Sequence, residues 1–465
     1  MTSLVLKMNF IAKLLGINRA IGYGVLTRAW GLISGPLTML IIVSRFSKEQ
    51  QGYYYTFGSL LAMQIFFELG LTTVLSTFVS HEFAKLSWGE KGHISGDSIA
   101  LKRFSDLLAK TMKWFGIASI ILLCCLIPAG LIFFNQDHSV SIDFTWRMPW
   151  VLAVAGMAIN FFTTPFLAVI MGSGDVVTVN HREMIGGVIG SCVCWIVIVL
   201  HGGLYAVFAV NCGNIIVSWS YLLKYKPELV KLAWRGVFTV QKSENKNSMI
   251  SWWADVWPMQ WKIALSWISG YFIFQLFNPV LFHYHGAIVA GQMGMTLSAS
   301  NALLGMSLNW MYVKSPEFGK LIATRQWLIL DRTFNQVFYQ SLAVVVAGAI
   351  AGSAAIWYVQ GHYQFGNRFI PAKYAALLFG TVCILIIVNN FAIYLRAHKK
   401  EPFLQLSILL AIFQGTSTWM LGKYFGIIGV TFGFLAINLF IALPVAYYIW
   451  KRCKINWHSP FEQQY

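Results

Sequence analysis

Three ionisable side chains fall inside long apolar runs of this sequence: Arg28, Glu68 and Lys262. A charge at the centre of a membrane helix costs about 2.5–3.5 kcal/mol on insertion scales, so it is kept mainly where it faces a bundle interior or a water-filled cavity. Arg28 sits between Gly24, Gly31 and Gly35, at spacings of four, three and four, on one helix face. Small residues beside a long cation leave room for a cavity or for close helix approach. A guanidinium there can grip an anion through its planar fork, a geometry suited to phosphate. Its alternative is to snorkel, since it lies eight residues in from Ala20. Lys262 invites the same two readings, with snorkelling easy among Trp252, Trp253, Trp257 and Trp261. Glu68 could pair with Arg28, take up a proton or hold a coupling cation, or simply tie helices together.

The elements that must position these groups follow from hydropathy. The 465-residue chain is 57% hydrophobic and only 11% charged, with mean hydropathy +0.63. A soluble chain carries about 25% charged residues, so this is a polytopic membrane protein. The net charge of +17 therefore reflects insertion topology and gives no reason to expect nucleic acid. Twelve spans are predicted, at 20–43, 53–79, 112–134, 147–171, 184–200, 204–223, 257–281, 286–313, 336–358, 373–395, 403–421 and 427–450. The expected fold is all-α: two six-helix bundles, 20–223 and 257–450, related by a pseudo-twofold axis along the membrane normal. A cytoplasmic connector at 224–256 joins them, 1–19 is an interfacial segment, and 451–465 is a cytoplasmic tail. Of the 34 Lys and Arg residues, 26 lie on the side of the N-terminus and six on the other. The positive-inside rule then makes both termini cytoplasmic. A short echo, Ile33-Ser34-Gly35 and Ile268-Ser269-Gly270, relates the first helix of each half.

Further polar residues could line a cavity. Gln64, Glu68, Thr72 and Ser76 recur every four residues as one stripe of helix 2. Helix 8 carries Ser298, Asn301, Gly305 and Asn309, helix 7 carries Ser266 and Ser269, and helix 4 carries Asn160 beside Pro165. His283 and His285 read as interfacial, without nearby carboxylates for a metal. Seven cysteines form no disulfide framework and read as buried thiols. The chain has no G-x-x-x-x-G-K-[ST] motif, so a nucleotide motor is not expected within it. No cleavable signal, cofactor or metal is expected.

The stretch Arg28-Ala29-Trp30, Ile33-Ser34-Gly35-Pro36, Ser47-Lys48-Glu49-Gln50-Gln51-Gly52-Tyr53-Tyr54 and Phe67-Glu68-Leu69-Gly70-Leu71 resembles the polysaccharide flippase family, exporters of lipid-linked oligosaccharides such as O-antigen units. That family belongs to the superfamily that also holds multidrug antiporters. Sequence likeness covers chiefly the first 80 residues, and hydropathy likeness the whole chain. The resemblance implies an alternating-access transporter of a bacterial inner membrane, moving a polyprenyl-diphosphate-linked glycan between leaflets without covalent chemistry. It implies Arg28 as diphosphate ligand, Lys262 as a looser match to second-half cations, and Glu68 as the acid of helix 2. Proton or sodium coupling and association with a polysaccharide polymerase and glycosyltransferases are further implications. An ion-coupled drug or metabolite antiporter is the first rival, although it would want acidic cavity residues, which are nearly absent here. A membrane glycan polymerase or ligase would want a large outer loop, and a non-transporting scaffold would not need Arg28 and Glu68.

Overall fold

The computed structural model describes residues 19–135, 144–238, 251–398 and 400–458. Most of the proposed interfacial segment 1–19, and the end of the tail, lie outside these residues. Nearly all of the described chain is helical, as a membrane requires of a backbone that cannot bond to water. In chain order the helices are α1 (Arg19–Arg45), α2 (Lys48–Leu61), α3 (Ile65–Glu68) and α4 (Leu71–Glu82). A small antiparallel hairpin follows, β1 (Leu86–Trp88) and β2 (Ile94–Gly96), with Ser87 opposite Ser95. Then come α5 (Ser98–Asn135), α6 (Arg147–Gly172), α7 (Val176–Val199), α8 (Tyr205–Tyr225) and the short α9 (Pro227–Phe238). The rest is α10 (Trp257–Phe274), α11 (Phe277–Ala323), α12 (Trp327–His362), α13 (Ala372–Arg396), α14 (Leu404–Ile437) and α15 (Leu443–Trp457).

Among the described residues, nine helical stretches are long and apolar enough to cross a membrane, and the bent pair Lys48–Glu68 and Leu71–Glu82 makes a tenth. Two of the nine, of 67 and 54 residues, are each long enough for two spans, which brings the total to the expected twelve. Glycines mark where those long stretches fold over. Gly286 (φ 84°) interrupts α11 and Gly426 (φ 57°) interrupts α14, both in backbone conformations that L side chains rarely adopt. His285 joins the two turns: its Nε2 lies 2.7 Å from the carbonyl of Gly422. That contact gives this histidine a structural partner.

The chain forms two compact units, divided elsewhere than at the connector. Residues 19–45, 63–135 and 144–264 make one unit; residues 46–62 and 265–458 make the other. Helix α2 thus packs with the second half of the chain, against α11. The reason is the motif before it. Ser47 caps α2 in a reciprocal box with Gln50, at 3.1 Å in both directions. Gln51, 1% exposed, donates to the carbonyls of Gly291 (2.8 Å) and Arg368 (3.0 Å), while Arg368 donates to Phe46 O (2.5 Å) and Gln51 Oε1 (3.3 Å). Arg368 lies between spans, and burial pulls its guanidinium below the usual arginine range. Gly52 meets Ala287 backbone to backbone: a Cβ there would stand 1.9 Å from the Ala287 carbonyl oxygen. A seam of small residues lets membrane helices approach this closely.

Gly52→Ala should therefore destabilise the protein by about 1–3 kcal/mol, because the obstructing atoms are backbone and cannot rotate away. The same change at Gly58 of α2, where a Cβ would meet nothing within 4 Å, should be neutral or mildly stabilising. Thermal unfolding in detergent measures both.

Candidate functional site

The first unit holds Arg28, Glu68 and Lys262, and each is set by a local feature of its helix. Helix α1 packs against α7 along one edge. Tyr23 meets His181 (ring centroids 4.7 Å apart), Trp30 Nε1 donates to Ser191 (3.3 Å), and Thr38 accepts from Trp195 (2.8 Å). Arg28 lies off that edge and is exposed. The glycines beside it do not serve close helix packing: a Cβ at Gly31 or Gly35 would meet nothing within 4 Å among the described residues. Arg28, Gly31 and Gly35 thus form one open face with a cation on it.

Glu68 sits at a break rather than on a continuous stripe. After a 3-10 turn (Ala62–Gln64) and the single turn α3, Leu69 (φ 50°, ψ 31°) and Gly70 (φ 66°, ψ 14°) are both left-handed. The span resumes as α4, bent by 46°. The strict four-residue spacing of Gln64, Glu68, Thr72 and Ser76 therefore does not make one straight stripe. The acidic-Leu-Gly-Leu stretch is the break itself. Three contacts hold it. Thr72 Oγ1 donates to Glu68 Oε1 across the break (2.5 Å), leaving Glu68 8% exposed. Trp114 Nε1 donates to Phe67 O (3.3 Å), a carbonyl near the interruption of the ladder. Ile263 fills the space beside Gly70, its Cγ2 only 2.3 Å from where a Cβ would be.

Ile263 brings the neighbouring Lys262 to this region. Lys262 is exposed, with Nζ 5.8 Å from the Trp261 ring centroid, and no ion pair links it to Glu68 among the described residues. Gln64 and Asn160 are half-buried in the same unit. The other lining candidates belong to the second unit. There Asn301 is exposed, Gly305 borders open space, and Asn309 and Ser266 are half-buried. Ser269 is 3% exposed, with its hydroxyl donated to Leu265 O at 2.7 Å.

One buried cation escapes a hydropathy reading. Arg182 was expected in a loop ahead of a helix at 184, but α7 starts at Val176 and carries it in its second turn. Its Nε donates to Ser218 Oγ (2.8 Å) and its Nη2 to Ser218 Oγ and to Asn214 O (3.1 Å). All are on α8, and Arg182 is 8% exposed. The polar run Asn180-His181-Arg182-Glu183 imitates a loop, and only the facing helix shows that the guanidinium is enclosed. Its fork is occupied by neutral groups, so Arg182 fixes α7 to α8.

Gly70→Ala should destabilise this unit by about 1–2 kcal/mol from the left-handed backbone alone, plus the clash with Ile263. Ile263→Ala in the same chain should recover the clash and leave the backbone cost. Trp114→Phe should cost about 1 kcal/mol by leaving Phe67 O without the indole donor. Chemical unfolding in detergent, read for single and double variants, checks all three.

No family model matches the chain, and no curated protein matches it. Solved structures do. An inward-facing multidrug resistance MATE family transporter of the MOP superfamily is 15% identical, with TM-score 0.59, over 93% of this chain and 98% of its own. The lipid II flippase MurJ, in an inward closed conformation, is 12% identical with TM-score 0.59, over 94% and 90%. The Vibrio cholerae MATE transporter VcmN is 14% identical with TM-score 0.56, over 95% and 98%. These proteins are transporters and a flippase, and their likeness spans almost the full length of each. The chain has the all-helical membrane fold of MATE transporters and of MurJ.

Proposed function

We propose that this protein is a flippase that carries a polyprenyl-diphosphate-linked oligosaccharide from the inner to the outer leaflet of a bacterial cytoplasmic membrane by alternating access, for surface polysaccharide synthesis. In this reading both termini are cytoplasmic and no covalent step occurs. The observation that carries it is Arg28, an exposed cation on the open Gly31–Gly35 face of a helix in a transporter fold. A diphosphate stripped of water needs charge-assisted hydrogen bonds in exchange, and a guanidinium supplies two in parallel. Lys262, exposed in the same unit, is the second proposed ligand. Gln64, Thr72 and Asn160 of the same unit would meet the glycan, which asks for polar groups rather than charge. A MATE-like fold also hosts the lipid II flippase, so large lipid-linked passengers lie within its range. A polymerase and glycosyltransferases are the proposed partners, since a flipped glycan must be made before and extended after.

One observation favours the rival reading of an ion-coupled antiporter: Glu68 is a buried, hydrogen-bonded carboxyl within a span, and carboxyls inside spans mark ion and proton pathways. In a flippase the same residue would couple a proton or sodium gradient to the return step. Proteoliposome transport separates these roles. Arg28→Ala should lower flipping of a polyprenyl-diphosphate glycan at least tenfold, with little effect on transport of a cationic amphiphile. A wild-type rate for the diphosphate would refute the cationic site. Glu68→Gln should abolish the dependence of the rate on pH or sodium; an unchanged dependence removes it from coupling.

A further inference from the structure

Away from the proposed transport site, the first unit builds a two-part site along the seam of α5 and α9. The first part is a cleft of about 370 Å³, walled by the β1–β2 hairpin, the N-terminal turns of α5 and one face of α9. Four cationic or titratable side chains converge on it: His93 from the hairpin, Lys102 from α5, and Lys231 and Arg235 from α9. A single acid, Glu228, shares it and accepts from Lys231 Nζ at 2.8 Å. The hydrogen bond from Lys231, with the nearby charges of Arg235 and His93, holds the Glu228 carboxyl below the usual range. Lys102 and Arg235 form no ion pair among the described residues. Topology accounts for basic loops on this side, but it does not make them converge on one concavity.

The second part begins about two turns further along α5, roughly 10 Å from Ser105 to Met112. It is a groove of about 350 Å³ with an almost wholly apolar surface, lined by Met112, Gly116, Ile117, Ile120, Phe162 and Trp234 together with Lys113. Helix α5 has 38 residues, or about 57 Å, nearly twice the hydrocarbon thickness, so its first turns stand clear of the bilayer and its later ones run through it. Helix α9 is amphipathic. Leu229, Val230 and Ala233 are buried, whereas Lys231, Trp234 and Arg235 are exposed, a pattern of helices lying in the membrane interface. A cationic cleft at the level expected of headgroups, followed along the same two helices by an apolar groove at the level expected of acyl chains, has the chemistry to hold an amphiphile with an anionic head.

We propose that this seam is a binding site for an anionic phospholipid of the surrounding membrane, its phosphate against His93, Lys102 and Arg235 and one acyl chain in the groove beside Trp234. The hairpin and α9 are held together where Lys226 Nζ stacks 3.7 Å from the Trp88 ring centroid and pairs with Asp175 at 3.7 Å. An occupied site would brace α9, and through it the chain that leads into α10, to the membrane surface.

Native mass spectrometry of the full-length protein, offered phosphatidylglycerol and phosphatidylcholine of equal chain length, tests this. The wild type should retain phosphatidylglycerol in preference. Lys102→Ala and Arg235→Ala should each reduce the preference about fivefold. The charge-keeping pair Lys102→Arg and Arg235→Lys should preserve it, and Trp234→Ala should weaken retention of both lipids. Equal retention of the two lipids by the wild type, or a preference that survives loss of both charges, overturns the proposal. Complete displacement by inorganic phosphate at millimolar concentration overturns it too, since a small-anion site needs no acyl groove. Displacement of phosphatidylglycerol by short-chain polyprenyl phosphate but not by a second anionic phospholipid would assign the seam to the transported lipid and equally overturn it. Melting temperatures confirm that each variant is folded.

Discussion

A helix can break inside a bilayer only if other groups take over the hydrogen bonds that the break releases, because lipid offers none. The second span of this protein meets that condition at Leu69–Gly70. Thr72 binds Glu68 from the far side of the break, Trp114 reaches the Phe67 carbonyl, and Ile263 seals the space beside Gly70. The same set of contacts keeps a carboxyl at membrane depth and brings the start of α10, with Lys262, alongside it. The break therefore turns an ordinary span into a place where charged groups can be held. It also ends the stretch that packs with the second unit, since α2 belongs there and α4 does not.

The logic of the opening 80 residues, read physically, is mostly a logic of packing. Ser47 and Gln50 start α2, Gln51 and Arg368 fasten it, and Gly52 admits the backbone of α11. Arg28 differs in its exposure, beside Gly31 and Gly35, where a Cβ would meet nothing within 4 Å among the described residues. The motif that resembles polysaccharide flippases thus holds two kinds of residue: those that build the bundle, and an exposed cation on a glycine-lined face. Arg182 supplies the contrast. It reads as a loop residue in the sequence, yet it is buried, with its donors spent on Ser218 and Asn214.

Much of this was legible in the sequence. The spans were, because about 20 apolar residues in a row have few other uses. Arg28 and Glu68 were, because charge in such a run is costly. The break at Leu69 was not: a period of four assumes an unbroken helix, and Leu69 has no local sign of a left-handed backbone. The membership of α2 in the second unit was hidden as well, since it rests on Gly291, Ala287 and Arg368, more than 200 residues away. Arg182 was misplaced for the same reason. Hydropathy weighs neighbours in sequence, and its partners lie on the next helix.

The account's central claim is that the Arg28 face is wet and meets an anion. With the seven native cysteines replaced, Gly31→Cys and Gly35→Cys should react with a charged, membrane-impermeant thiol reagent, and polyprenyl diphosphate should slow that reaction. If both cysteines resist the charged reagent and yield only to a lipid-soluble maleimide, the face lies against acyl chains and the claim is wrong.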